Sequence, residues 1–134
     1  MTHPPPQGYW MPNVMSGTYT PTIVRSAGTP VISASTIHDA WWIRVDNVVI
    51  VCGGVNIDTD VGGYMEYTIT LPADGSGAAT IGDAHQAWGT VVMHQMNVTA
   101  SIQAVAGTRT VKAGVIFPDG SDRLHTYMFG YKAP

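Results

Sequence analysis

Short apolar runs separated by turn residues follow one another along most of the chain, and several alternate apolar with polar positions. The clearest case is "MEYTITL", in which every second residue is apolar, namely Met65, Tyr67, Ile69 and Leu71. A period of two places these side chains on one face and predicts a half-buried β-strand. The segment "NVTASIQAV" repeats the pattern.

Turn signals join the runs into pairs. Asp46-Asn47 separates "WWIRV" from "VVIVCGGVNI", and both residue types tolerate the left-handed backbone of a two-residue hairpin. "PDGSD" separates "RTVKAGVIF" from "RLHTYMFGY" and predicts a second hairpin. Pro21 follows "GTYT" and marks an edge strand or a strand end.

These segments predict an all-β fold, because no window of helical length keeps a 3.6-residue apolar period. About eight short strands favour a single antiparallel β-sandwich of jelly-roll or Greek-key type over residues 17–134. Sheet edges in such a domain need covering, and a homotrimer is one way to cover them.

Residues 1–16 are predicted to form an extended Pro-rich arm. Pro4, Pro5 and Pro6 favour a polyproline conformation. The arm also carries the apolar side chains of Tyr9, Trp10, Met11 and Met15, which a solvated linker seldom contains. We therefore expect an attachment arm that docks on a partner; the alternative is that these side chains pack on their own domain.

The amino-acid composition argues against several classes of function. Only 11% of the residues are charged, the net charge is −3 and the basic residues are scattered, which argues against nucleic-acid binding. A single cysteine rules out an internal disulfide. The first residues lack the pattern of a signal peptide and no run approaches ~20 apolar residues, so we expect synthesis as a soluble chain without membrane insertion.

No catalytic constellation stands out. His38-Asp39 and Asp83-Ala84-His85 place carboxylates near imidazoles, but a positioned nucleophile is lacking. Asp58 and Asp60 are better explained as turn residues than as calcium ligands. We expect no enzyme activity, no metal and no cofactor, and an inert strand role for Cys52, which has no activating neighbour in sequence.

The tryptophans are candidates for contacts with a ligand or a subunit. Trp41 and Trp42 point to opposite faces of a strand, so only one can share the core face. The pattern places Trp41 with Ile43 and Val45 on the core face. Trp42 and Trp88 are then expected on the surface, available to a neighbouring subunit or a sugar.

Several segments resemble a small β-domain of tailed-bacteriophage virion proteins. They are "SGTYTPTIV", "WIRVDNVVIVCGGVNID", "YTITLP", the pair Asp122-Arg123 and the closing "YMFGY", together spanning about residues 16–132. The chain departs from the pattern at Asp46, where glycine is usual, and at Cys52, where a small hydroxyl residue is usual. The resemblance implies a non-enzymatic and usually trimeric virion component, and it transfers no binding residue.

Two locations on the particle are compatible with this resemblance: capsid decoration or a head fibre, and the tip of a tail fibre. The expected partners are other copies of the chain and a larger capsid or tail protein, and the expected location is the virion surface after synthesis in the host cytoplasm. The contrasting class is a carbohydrate-binding module that recognises a host surface glycan, or a carbohydrate-active enzyme, and turnover would separate the two. No pair of catalytic carboxylates stands out, because the chain has one glutamate and its aspartates lie in turns.

The arm yields a first prediction. Removing residues 2–15 should leave a folded domain that no longer joins the particle, because Trp10 alone could contribute roughly 2 kcal/mol on burial and several arms would act together. Particle occupancy and circular dichroism of the truncated protein test this. Wild-type occupancy, or failure of the truncated chain to fold, would show that the arm is not a tether.

Overall fold

The computed structural model describes residues 14–72, 86–94 and 98–133, and the predicted all-β class is confirmed. The strands are β1 (Val14–Tyr19), β2 (Ile23–Gly28), β3 (Ile32–Ile37), β4 (Ala40–Val45), β5 (Val48–Thr59), β6 (Gly63–Thr70), β7 (Ala87–Met93), β8 (Val98–Ala104), β9 (Thr110–Phe117) and β10 (Arg123–Lys132). Within these ranges, no helix is long and apolar enough to cross a membrane.

The strands form one antiparallel sheet. Its hydrogen-bonded order is β1-β4-β5-β10-β7-β8-β9-β6-β2, with β3 pairing with β5 outside this path. β5 is long enough to accept two partners on one side: Ile37 of β3 lies opposite Val55, and Trp41 of β4 lies opposite Cys52. The centre of the sheet is therefore built on β5 and β10.

The alternation of apolar and polar residues along the strands matches the alternation of buried and exposed side chains, as the sequence predicts. Met65, Tyr67 and Ile69 of β6 are fully buried, while the intervening residues are partly exposed. The hairpin between β4 and β5 is also confirmed, because Val45 pairs with Val48 around the two residues between them. Asp46 adopts the left-handed backbone there, with φ of 55°.

A short link forces the sheet to curl. β1 and β2 stand at opposite ends of the hydrogen-bonded order, yet only residues 20–22 separate them in sequence. Three residues span roughly 10 Å, so the two ends of the sheet must approach each other. The Tyr19 hydroxyl donates to the Thr70 carbonyl at 2.8 Å, and the Thr22 N–H donates to Thr70 Oγ1 at 2.8 Å.

The predicted hairpin between the last two strands is wrong. β9 pairs with β6 and β8, whereas β10 pairs with β5 and β7. The turn residues between Phe117 and Arg123 do reverse the chain, but they carry it across the curl to another part of the sheet. Turn residues predict that the chain reverses direction, but they do not predict which strand pairs with the one that follows the turn.

The sheet begins earlier than predicted. β1 starts at Val14, so residues 14–16 lie in a strand and Met15 pairs with Arg44. The rest of the predicted arm, including Pro4, Pro5, Pro6, Tyr9, Trp10 and Met11, lies outside the described residues.

The last strand ends near the start of the first strand, because Lys132 pairs with Val48 and the Ala133 N–H donates to the Asn47 carbonyl at 2.7 Å.

A buried histidine lies where β6 and β9 face β10 across the curl. The Tyr67 hydroxyl and His125 Nδ1 are hydrogen-bonded at 3.1 Å, and the Phe117 ring lies 5.2 Å from the imidazole, centroid to centroid. His125 Nε2 has no hydrogen-bond partner among the described residues. Burial, with a smaller contribution from His94, lowers the pKa of His125 to about 4.

This histidine predicts a loss of stability in mild acid. Below pH 6.5 the unfolded chain protonates His125 while the folded protein does not until about pH 4, so the free energy of unfolding should fall across that window. The loss attributable to His125 should approach about 3 kcal/mol. It is measured by urea unfolding between pH 7 and pH 4, comparing the wild type with His125→Phe.

Tyr67→Phe serves as the matched control, because it removes the hydrogen bond and leaves the imidazole buried. Its pH dependence should remain that of the wild type. An identical pH profile for His125→Phe and the wild type would contradict the assignment.

Candidate interaction surface

The outer side of the central strands carries a continuous set of apolar side chains, four of them exposed and two, Ile43 and Cys52, half-buried. We call it the apolar face and define it by Trp41, Ile43, Ile50, Cys52, Trp88 and Met128. Strand register brings them together: Trp41 pairs with Cys52, which pairs with Met128 on its other side. Ile43 pairs with Ile50 in the neighbouring row.

Trp88 extends the apolar face onto β7. Its indole ring lies over Gly130 of β10, where an added Cβ would come within 2.7 Å of the ring. The ring is nevertheless 50% exposed, and beside it a shallow depression of about 210 Å³ is lined by Ile50 and Met128. Met128 is 55% exposed. These groups offer shape and apolar area to a partner rather than reactive chemistry.

The assignment of the two adjacent tryptophans is the reverse of the expectation. Trp42 is 3% exposed and packs against Gly17 of β1, whereas Trp41 is 50% exposed on the apolar face. Trp42 therefore cannot be a surface contact for a ligand or a subunit. The expectation followed Ile43 and Val45, which share a side with Trp41. The buried side of β4 carries Arg44 beside Trp42, so the hydrophobicity of the strand indicates the wrong side.

One edge strand of the sheet lies next to the apolar face and has no feature that would block pairing with another strand. β1 pairs only with β4 among the described strands and contains no charged residue and no proline. The opposite edge strand, β2, contains Arg25 and an irregular register between Arg25 and Ala27. Charges and bulges are the usual means of blocking edge-to-edge pairing, so the β1 edge, unlike the β2 edge, has neither means of blocking another chain.

Cys52 lies in the middle of the apolar face and not in the core. Its side chain is half-buried between the strands that carry Trp41 and Met128. Burial raises the pKa of the thiol, which agrees with the expectation of an unactivated cysteine. The interaction surface therefore includes a thiol that contributes packing area.

The carboxylate–histidine pairs suggested by the sequence do not form where the structure describes them. His38 Nε2 contacts Asn56 Oδ1 at 2.8 Å, while Asp39 accepts a hydrogen bond from the Thr20 hydroxyl at 2.5 Å. Asp60 Oδ1 accepts from the Val31 N–H at 2.9 Å, as expected of a turn residue. Asp83 and His85 lie outside the described residues.

Across residues 14–72, 86–94 and 98–133, no three or more His, Cys, Asp or Glu side chains are grouped so that they could hold a metal ion. Comparison of the chain with protein-family models, with curated proteins and with solved structures gives no match. What the described surface offers chemically is apolar contact around Trp41, Trp88 and Met128.

The position of Cys52 generates a prediction. Cys52→Ser should lower the free energy of unfolding by about 1 kcal/mol, because a half-buried sulfur loses packing but the hydroxyl can reach water. Urea unfolding measures the change. A thiol reagent should label native Cys52 more slowly than free cysteine at pH 7, since the raised pKa leaves less thiolate; equally fast labelling would contradict this assignment.

Proposed function

We propose that this protein is a non-enzymatic structural protein of a bacteriophage virion, displayed on the particle surface as a small accessory protein. The apolar face is the observation that carries the proposal. Contiguous exposed apolar side chains usually mark an interface in a soluble protein. In an assembled particle, a neighbouring chain covers Trp41, Trp88 and Met128.

The energetic argument is the burial of large side chains. Covering one half-exposed tryptophan or methionine contributes on the order of 1–2 kcal/mol. Several such side chains lie together, so one contact could offset part of the entropy lost on association. The low net charge of −3 adds little repulsion between copies.

The virion assignment rests on the resemblance described above, and part of it lies at the apolar face. "SGTYTPTIV" supplies β1, the link at residues 20–22 and the start of β2. "WIRVDNVVIVCGGVNID" forms the hairpin of β4 and β5 and contributes Ile43, Ile50 and Cys52 to the apolar face. The resemblance and the proposed interface therefore overlap at this hairpin.

The proposal includes the finer features expected from the sequence. The two ends of the curled sheet act as the layers of a jelly-roll-like sandwich, a role supported by the contact between Tyr67 and His125 across the curl. Three copies associate so that the apolar face and the β1 edge are covered. The segment before Val14 attaches the trimer to a larger capsid or tail protein.

The structure supplies a matched pair of variants for testing assembly. Met128 and Thr126 are both exposed, lie on the same strand and point to the same side of the sheet. Met128→Lys puts a charge into the proposed contact, where burying it without a partner costs several kcal/mol. Thr126→Lys adds the same charge beyond the apolar face.

We expect the wild type and Thr126→Lys to sediment as three chains and to copurify with phage particles. Met128→Lys should remain folded, associate at least tenfold more weakly and be depleted from particles. Sedimentation and quantitative mass spectrometry of gradient-purified particles measure these outcomes. Wild-type association by Met128→Lys, or absence of the protein from particles, would overturn the proposal.

A further inference from the structure

β8 divides its pairing between two neighbours and so opens a fork in the sheet. Its first half, Val98–Ser101, pairs with β7, and its second half pairs with β9 from Ile102 onward. β9 continues past Ala113 with β6 as its partner, but no described strand pairs with its other side there. A depression of about 470 Å³ lies in this fork.

An aromatic platform forms one wall of the depression. Tyr64 of β6 is 48% exposed, and its ring lies over Gly114 of β9. An added Cβ at Gly114 would be 2.3 Å from the tyrosine oxygen, so the ring occupies the space that a side chain at this position would fill. The Tyr64 hydroxyl donates to Glu66 Oε1 at 2.9 Å, which fixes both side chains.

Val98, Ala100 and Ile116 also line the depression, and the rest of its lining is polar and balanced in charge. Glu66 contributes one carboxylate and Lys112 one ammonium group, and Gln103 and Ser101 add an amide and a hydroxyl. Together they present donors and acceptors at several points around the ring of Tyr64. Opposite charges in equal number suit an uncharged ligand that has many hydroxyl groups.

We propose that this depression binds a neutral saccharide, with Tyr64 as the surface on which a sugar ring stacks. A pyranose has an apolar face of C–H groups that packs on an aromatic ring, and its hydroxyls both donate and accept hydrogen bonds. Glu66, Gln103 and Lys112 are placed to receive those hydroxyls. The volume falls in the range typical of small-molecule sites and accommodates more than one sugar ring.

The site is separate from the apolar face. Tyr64, Gly114 and Gln103 lie on β6, β9 and β8, whereas Trp41 and Met128 lie on β4 and β10. Saccharide binding and assembly can therefore be tested independently. A protein that assembles through one face and holds a sugar in the fork would bring a particle into contact with a glycan surface.

The test uses the full chain. Labelled protein is applied to an array of neutral bacterial polysaccharide fragments and of galactose and N-acetylglucosamine oligosaccharides, and the best-bound oligosaccharide is titrated by calorimetry. Tyr64→Ala should weaken binding at least tenfold, and Gln103→Ala should weaken it severalfold. Trp88→Ala, an exposed aromatic outside the fork, should bind within twofold of the wild type.

Three results would overturn the proposal: no array component binds, binding survives both Tyr64→Ala and Gln103→Ala, or Trp88→Ala abolishes it. Gln103 is exposed, so Gln103→Ala should fold and can test the proposal even if Tyr64→Ala fails to fold. Capture of an extended peptide in place of any saccharide would also count against it, since the free side of β9 could accept a strand. Association of Tyr64→Ala and Gln103→Ala should remain that of the wild type, which separates this proposal from the assembly proposal.

Discussion

The structure depends on the three-residue link between two strands that do not pair. Residues 20–22 connect β1 to β2, and every other described strand except β3 lies between them in the hydrogen-bonded order. The sheet has to bend until its two ends meet at this link. That bend creates an enclosed side, where Tyr67 reaches His125, and an outer side, where Trp41 and Met128 remain accessible.

Glycine placement decides where aromatic rings can lie on this bent sheet. Gly17 accommodates the buried ring of Trp42, while Gly130 and Gly114 accommodate the exposed rings of Trp88 and Tyr64. In each case the ring fills the space where a side chain would otherwise stand on the neighbouring strand. A ring supported in this way loses little freedom on binding, which favours contact with a partner.

Much of the strand pattern could be predicted from the sequence, but not the pairing of distant strands. The period of two in β6 and the turn at Asp46 are local features, and the structure follows them. The separation of β9 from β10 depends on contacts across the whole sheet, which no local signal contains. Likewise, the buried side of β4 carries Arg44 and is less apolar than the other side, so the choice of Trp42 as the buried ring required knowledge of what lies opposite, namely Gly17.

The apolar face and the fork could not have been found by motif searching. Met128 and Ile50 become neighbours of Trp88 through strand register, and Tyr64 and Gln103 line one depression only because β8 changes partners. An exposed tryptophan such as Trp88 was the one signal present in the sequence. Its neighbours follow from topology.

The start of β1 and the end of β10 lie side by side, which has a practical consequence. Val14 pairs with Val45 and Ala133 bonds to Asn47, so both positions lie beside the same hairpin. In a chain that begins at Val14, a short linker could join these two positions and new ends could be opened in another turn, which makes the sheet a suitable subject for circular permutation. A protein fused after the last strand would emerge beside the start of β1, so bulky cargo is better inserted into a turn at the other end of the sheet.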